Sequence, residues 1–110
     1  MFTRSAIFKG QIKPGKETEF YAAVEEHLIP AWSQMLHAQA IRVYRPMEAE
    51  DNLTDVFLVQ EIDYPSREAI AEALASPRRL AAMEALERVR PFYDGQHHHI
   101  IYRKLTDTSL

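Results

Sequence analysis

The chain is 110 residues long, with 46% hydrophobic and 26% charged side chains and a formal charge of −3. Those proportions are globular and exclude a disordered chain, and the length predicts a single domain over residues 1–110. The absence of Cys removes disulfides, thiolate metal sites and cysteine nucleophiles, and the slight acidity argues against a nucleic-acid partner.

Phe2 to Ile12 reads as a strand, closed by Pro14-Gly15. From Lys16 to Leu36 the period is helical: Phe20, Val24, Leu28, Ala31 and Met35 share a face, with Tyr21 and Trp32 on one flank. Pro30 falls inside this pattern and predicts a kink or break. Ala40 to Arg45 is a second strand, and the acidic stretch Met47 to Thr54 a solvated loop. Asp55 to Tyr64 is the strongest strand signal. Its consecutive Val56, Phe57, Leu58 and Val59 predict an element apolar on both faces. Ser66 is a suitable cap for a helix that Ser76-Pro77 interrupts, with Ser76 capping a second piece to about Val89. Pro91 ends it, Asp94-Gly95 predicts a turn, and Gln96 to Leu105 is the last strand, ahead of a frayed tail.

The order strand, helix, strand, strand, helix, strand is that of a ferredoxin-like α+β domain: a βαββαβ sandwich, with a four-stranded antiparallel sheet and the helices on one face. The uncovered face would expose apolar residues, so a homodimer through the sheet face is expected. No apolar run approaches a membrane span and Met1 to Phe8 lacks a signal-peptide pattern, so a cytoplasmic location is expected.

Three segments carry a resemblance over Phe2 to Leu105: Ile12-Lys13-Pro14-Gly15-Lys16-Glu17 at a strand-to-helix corner, Glu61 followed by Ser66-Arg67-Glu68-Ala69, and Leu74-Ala75-Ser76-Pro77 at a helix interruption. In these the chain resembles the dimeric α+β barrel superfamily, which includes antibiotic-biosynthesis-type monooxygenases, EthD-like proteins and stress-responsive barrel proteins. Asp63 stands where the monooxygenases often carry Trp, and Ala73 where they often carry His. The resemblance implies a small-molecule protein of aromatic or polyketide-like metabolism. The candidate activities are those of a cofactor-independent monooxygenase, isomerase or cyclase, acting in an apolar pocket between sheet and helices. The alternative is a non-catalytic ligand-binding or accessory barrel.

His97-His98-His99 is the most unusual stretch. Strand alternation turns His97 and His99 to one face and His98 to the other. The pair is the candidate general base, with Arg4 as partner of a developing oxyanion. Arg4 is also placed to pair with Glu61 or to approach a histidine. Trp32, Tyr44 and Tyr64 are candidate walls of the pocket, and His27, about 80° from the centre of its helix's apolar stripe, a candidate to look into it. Two histidines without a third ligand predict no metal site, and no cofactor motif is present. Arg78, Arg79, Arg88 and Arg90, interspersed with Glu84 and Glu87, predict a salt-bridged solvent face.

Overall fold

The computed structural model describes residues 1–110. Four antiparallel strands, β1 (Phe2–Ile12), β2 (Ala40–Tyr44), β3 (Val56–Tyr64) and β4 (Tyr93–Arg103), form one sheet in the order β2-β3-β1-β4. The helical connections α1 (Glu17–Ala23) with α2 (Ile29–Ser33), and α3 (Arg67–Ala75) with α4 (Pro77–Val89), each cross a neighbouring strand. This is the ferredoxin-like α+β arrangement, with the core between one sheet face and the helices. No helix is long and apolar enough to cross a membrane.

A π-helical segment, Val24–Leu28, joins α1 to α2, and the Ile29 amide donates to the Val24 carbonyl five residues back. Pro30 explains the wider turn, because its ring would collide with the carbonyl four residues earlier in a regular helix. Four residues of a regular helix overshoot a full turn by about 40°. The π turn takes up that drift, so Phe20, Val24 and Leu28 are followed into the core by Trp32, at 8% exposure. Trp32 is therefore a core residue and not a flank of the stripe. No glycine ends α2; His37 adopts φ 67°, and its Nε2 lies 2.6 Å from Glu72 Oε2 on α3. Both serine caps form: Ser66 Oγ accepts from the Ala69 amide at 3.0 Å and Ser76 Oγ from the Arg78 amide at 3.1 Å.

Two sequence expectations change in the sheet. Phe8 pairs with Leu58 but Lys9 with Val56, so Phe57 is an extra residue in a β-bulge. Phe57 and Leu58 are both buried, and the Phe57 ring packs edge-on against Phe8 and Phe20. The apolar run of β3 thus arises partly from the bulge and not from plain alternation. Second, Asp94-Gly95 is not a turn. β4 begins at Tyr93, and its Gly95 lies opposite Gly10, so close that a Cβ on Gly95 would stand 2.4 Å from the Lys9 carbonyl oxygen. Two facing glycines let the backbones approach and keep the strands paired from Ile12–Tyr93 to Phe2–Arg103.

Candidate functional site

The helix-facing side of β1 sets the floor of a cavity of about 210 Å³ under α2 and α4. Arg4 stands opposite Ile62 and Ile101, Ala6 opposite Gln60 and His99, and Phe8 opposite Leu58 and His97. The space exists because Ala6 on the central strand and Ala82 on α4 are small where larger residues would fill a core. A void of about 150 Å³ lined by apolar side chains accepts benzene, so this one has room for a larger aromatic body.

The cavity is graded along β1. Residues two apart repeat every ~7 Å, so the Arg4 and Phe8 positions are about 13 Å apart. At the Phe8 end the walls are aromatic: Phe8 meets Trp32 edge-on, and the His97 ring tilts against Phe8 at 4.2 Å between centroids. Tyr93 Oη lies 2.7 Å from His97 Nε2 and fixes the imidazole. At the other end Arg4, Tyr64 and Arg79 line the space. No Asp or Glu lines it.

Of the residues named from the sequence, Arg4, Trp32, Tyr64, His97 and His99 line this cavity. His27 and Tyr44 do not. The His27 imidazole lies 3.8 Å from its neighbour Glu26, away from the cavity. Tyr44 is on the opposite sheet face, 46% exposed, with its hydroxyl 3.4 Å from Glu61 Oε1. Nor does Arg4 pair with Glu61. The two lie on opposite faces, and Glu61 accepts from Arg42 Nε at 2.9 Å. Arg79, expected in a solvated face, lines the cavity instead. Sequence reasoning also missed Gln60 and Tyr93. Alternation from Ile62 and from His97 places each on the helix face, but Tyr93 required β4 to start three residues earlier than its turn-like Asp94-Gly95 allowed.

Both cavity histidines are held below the ordinary value of 6.5, His97 by burial and then by Arg90 and His98. His99 is pushed down to about 4, by burial first and then by Arg4, His97, Arg79 and His98. Both are therefore neutral at neutral pH. A proton binds the unfolded chain more readily than the folded one between about pH 6.5 and pH 4, so stability falls as pH drops through that window. We expect the urea midpoint to decline from neutral pH to about pH 4.5, and less steeply in a His97→Gln, His99→Gln variant. Equal slopes would contradict this. Asp63 acts in a different window. Arg42, together with Thr3 and Lys104, holds its carboxyl well below the carboxylate range, so its contribution is present above about pH 3.9 and is lost only as pH falls further. No cluster of three or more His, Asp or Glu side chains stands together as a metal site.

No family model and no curated protein matches the chain. Solved structures do. An ethyl tert-butyl ether degradation (EthD) family protein from Bacillus halodurans is similar over 96% of this chain and 100% of its own, at 13% identity and a TM-score of 0.73. SnoaB, a cofactor-independent oxygenase from Streptomyces nogalater, is similar over 96% of this chain and 94% of its own, at 14% identity and a TM-score of 0.64. A dimeric protein of unknown function with a ferredoxin-like fold from Bacteroides fragilis covers 94% of this chain and 95% of its own, at 10% identity and a TM-score of 0.67. The chain has the ferredoxin-like α+β fold that these EthD-type, oxygenase and dimeric structures share.

Proposed function

We propose that the protein is a small-molecule enzyme whose reaction begins with removal of a proton from a phenolic or enolisable ring held in this cavity, the first step open to a cofactor-independent oxygenase, isomerase or cyclase. The observation that carries the reading is the His97–Tyr93 pair at the aromatic end of an acid-free cavity. A neutral His97 that donates its Nε2–H to Tyr93 Oη leaves Nδ1 as the proton acceptor. For an enolisable ketone the C–H bond breaks, its proton passes to His97, and its electron pair moves onto the carbonyl oxygen. Negative charge growing there is met by the Gln60 amide and the Arg4 guanidinium, donors oriented before the charge develops. The step needs no group beyond these side chains. Exchange of the acidic C–H protons of β-tetralone with deuterium, followed by NMR, tests it. We expect exchange above the buffer rate, abolished in a His97→Ala, His99→Ala variant. Binding without exchange would make the chain a non-catalytic ligand-binding barrel.

The second sheet face supports a homodimer. It carries Ile7 and Val59, paired across β1 and β3, with Ile100 and Tyr102 on β4 at 43% and 39% exposure. Beside them the Ser5 hydroxyl is buried without a partner. A second copy laid on this face would cover the apolar residues, and such an interface should bury more than about 1,200 Å² in total. Light scattering at micromolar concentration should give a dimer, and Ile100→Lys a monomer. A wild-type monomer would defeat the proposal.

A further inference from the structure

The end of the cavity remote from His97 concentrates cationic and hydrogen-bonding groups without a counterion. Arg4 and Arg79, both half-buried, line it, and no carboxylate does. Neither arginine is in a salt bridge, whereas Arg42, Arg45 and Arg90 each pair with an acid elsewhere on the molecule. Arg4 therefore faces a like charge. Burial and the Arg79 guanidinium both disfavour its charged form, and the Tyr64 phenol is the other group that acts on it.

Two neighbouring polar side chains are also left without partners. Gln60 is 5% exposed and Tyr64 1%, and both line the cavity. The Gln60 amide and the Tyr64 hydroxyl form no hydrogen bond within the chain. The only buried side-chain polar atom without a partner is Ser5 Oγ, so the polar ends of Gln60 and Tyr64 open onto the cavity, where a ligand can take the place of water. Here all of them can donate, and all converge on one space.

The placement of Arg79 adds to this. It is the third residue of α4, whose first turn holds Arg78 and Arg79 and no acidic residue. Positive charge at a helix N-terminus opposes the macrodipole, which favours an anion there. Arg78 turns away, with Nη1 3.4 Å from the Gln34 carbonyl oxygen, while Arg79 faces the cavity. An anion seated between Arg4 and Arg79 would relieve the repulsion between them, meet the helix terminus and satisfy Gln60 or Tyr64.

We propose that the ligand of this cavity is an aromatic carboxylate, its ring body against Phe8 and Trp32 and its carboxylate held between Arg4 and Arg79. The inference rests on the proton-transfer reading for the identity of the site, but its anchor is a permanent charge on the ligand and not one formed in the reaction. With the carboxylate on Arg4, the Gln60 amide remains to meet an enolate or phenolate nearer His97. Two planar guanidiniums suit a carboxylate better than a lysine would, because each offers a fork of parallel N–H donors.

Naphthoate and naphthamide have nearly the same shape and differ in charge. Titration calorimetry of both against the wild-type protein is the test, with quenching of Trp32, the one tryptophan in the chain, as a second readout. We expect naphthoate to bind at least about tenfold more tightly, and its advantage to shrink as salt is raised. Arg79→Gln should bring the two affinities together, and Arg79→Lys should restore only part of the difference. Equal affinities in the wild type, no binding of either compound, or a preference that survives loss of both Arg4 and Arg79 would each overturn the inference. The neutral β-tetralone carries no anion, so its exchange reports on the proton-transfer reading separately. Exchange without naphthoate preference defeats the anion site alone, and naphthoate preference without exchange defeats the catalytic reading alone.

Discussion

Replacing Phe20 with alanine should destabilise the protein by about 3–5 kcal/mol, the range for truncating a fully buried phenylalanine. Phe20 is 0% exposed and is the last α1 residue but three, directed from the helix onto the sheet. Its ring packs edge-to-face on Tyr21, Phe57 and Tyr93, with centroids 4.9, 5.5 and 5.7 Å away. Each such pair contributes about 0.5–1.5 kcal/mol beyond the area it buries. Because Phe57 is fixed by the bulge and Tyr93 by the ladder, the gap cannot close by a simple shift of one neighbour. Against a total stability of about 5–15 kcal/mol the loss is a large fraction. Urea unfolding at fixed protein concentration checks it, since dimerisation would make the midpoint depend on concentration. A loss below about 1 kcal/mol would show that this aromatic cluster does not hold helix to sheet. Leu80→Ala, at a position 61% exposed, is the control and should change stability by no more than about 0.5 kcal/mol.

The sequence disclosed whatever depends on period and punctuation. Strand and helix order, the serine caps at Ser66 and Ser76, and the common face of His97 and His99 all follow from spacings of two or 3.6 residues. It concealed what depends on a single residue's departure from the period. Phe57 enters the core because one residue is inserted against β1, and nothing in Val56-Phe57-Leu58-Val59 marks which one. Trp32 returns to the core because the π turn absorbs one residue's rotation; Pro30 signalled a disturbance but not its direction. Asp94-Gly95 carries turn chemistry, yet pairing with Gly10, at the far end of the chain, overrides it. Arg79 was the most accessible omission. A helix start at Pro77 followed by two arginines and no acid runs against the dipole, and that mismatch is visible in the sequence alone.

The cavity offers two histidines for one proton, and their surroundings assign the work to His97. Burial first, and then Arg4, His97, Arg79 and His98, push His99 down to about 4, which makes it a weak acceptor at neutral pH. His97 is lowered by burial and then by Arg90 and His98, with neither Arg4 nor Arg79 among the groups that act on it. Its ring is also fixed, by Phe8 on one side and by Tyr93 Oη at Nε2. His97→Gln should therefore slow deuterium exchange by about 100- to 10,000-fold, the usual loss for a general base. His99→Gln should slow it less, and the reverse ranking would make His99 the base. Tyr93 acts through His97 as a positioning residue, so Tyr93→Phe should cost about tenfold and move the pH profile as well. Exchange requires neutral His97, so its rate falls as pH drops through the His97 pKa. If Nε2–H donates to Tyr93, that bond strengthens on protonation, and its loss lowers the pKa and shifts the falling limb to lower pH. If the phenol donates to Nε2 instead, the bond stabilises neutral imidazole, and its loss moves the limb to higher pH. The proton-acceptor role of Nδ1 requires the first result. A shift to higher pH would mean that Nε2 is the basic nitrogen and that Tyr93 guards it, and an unmoved limb would remove Tyr93 from the mechanism.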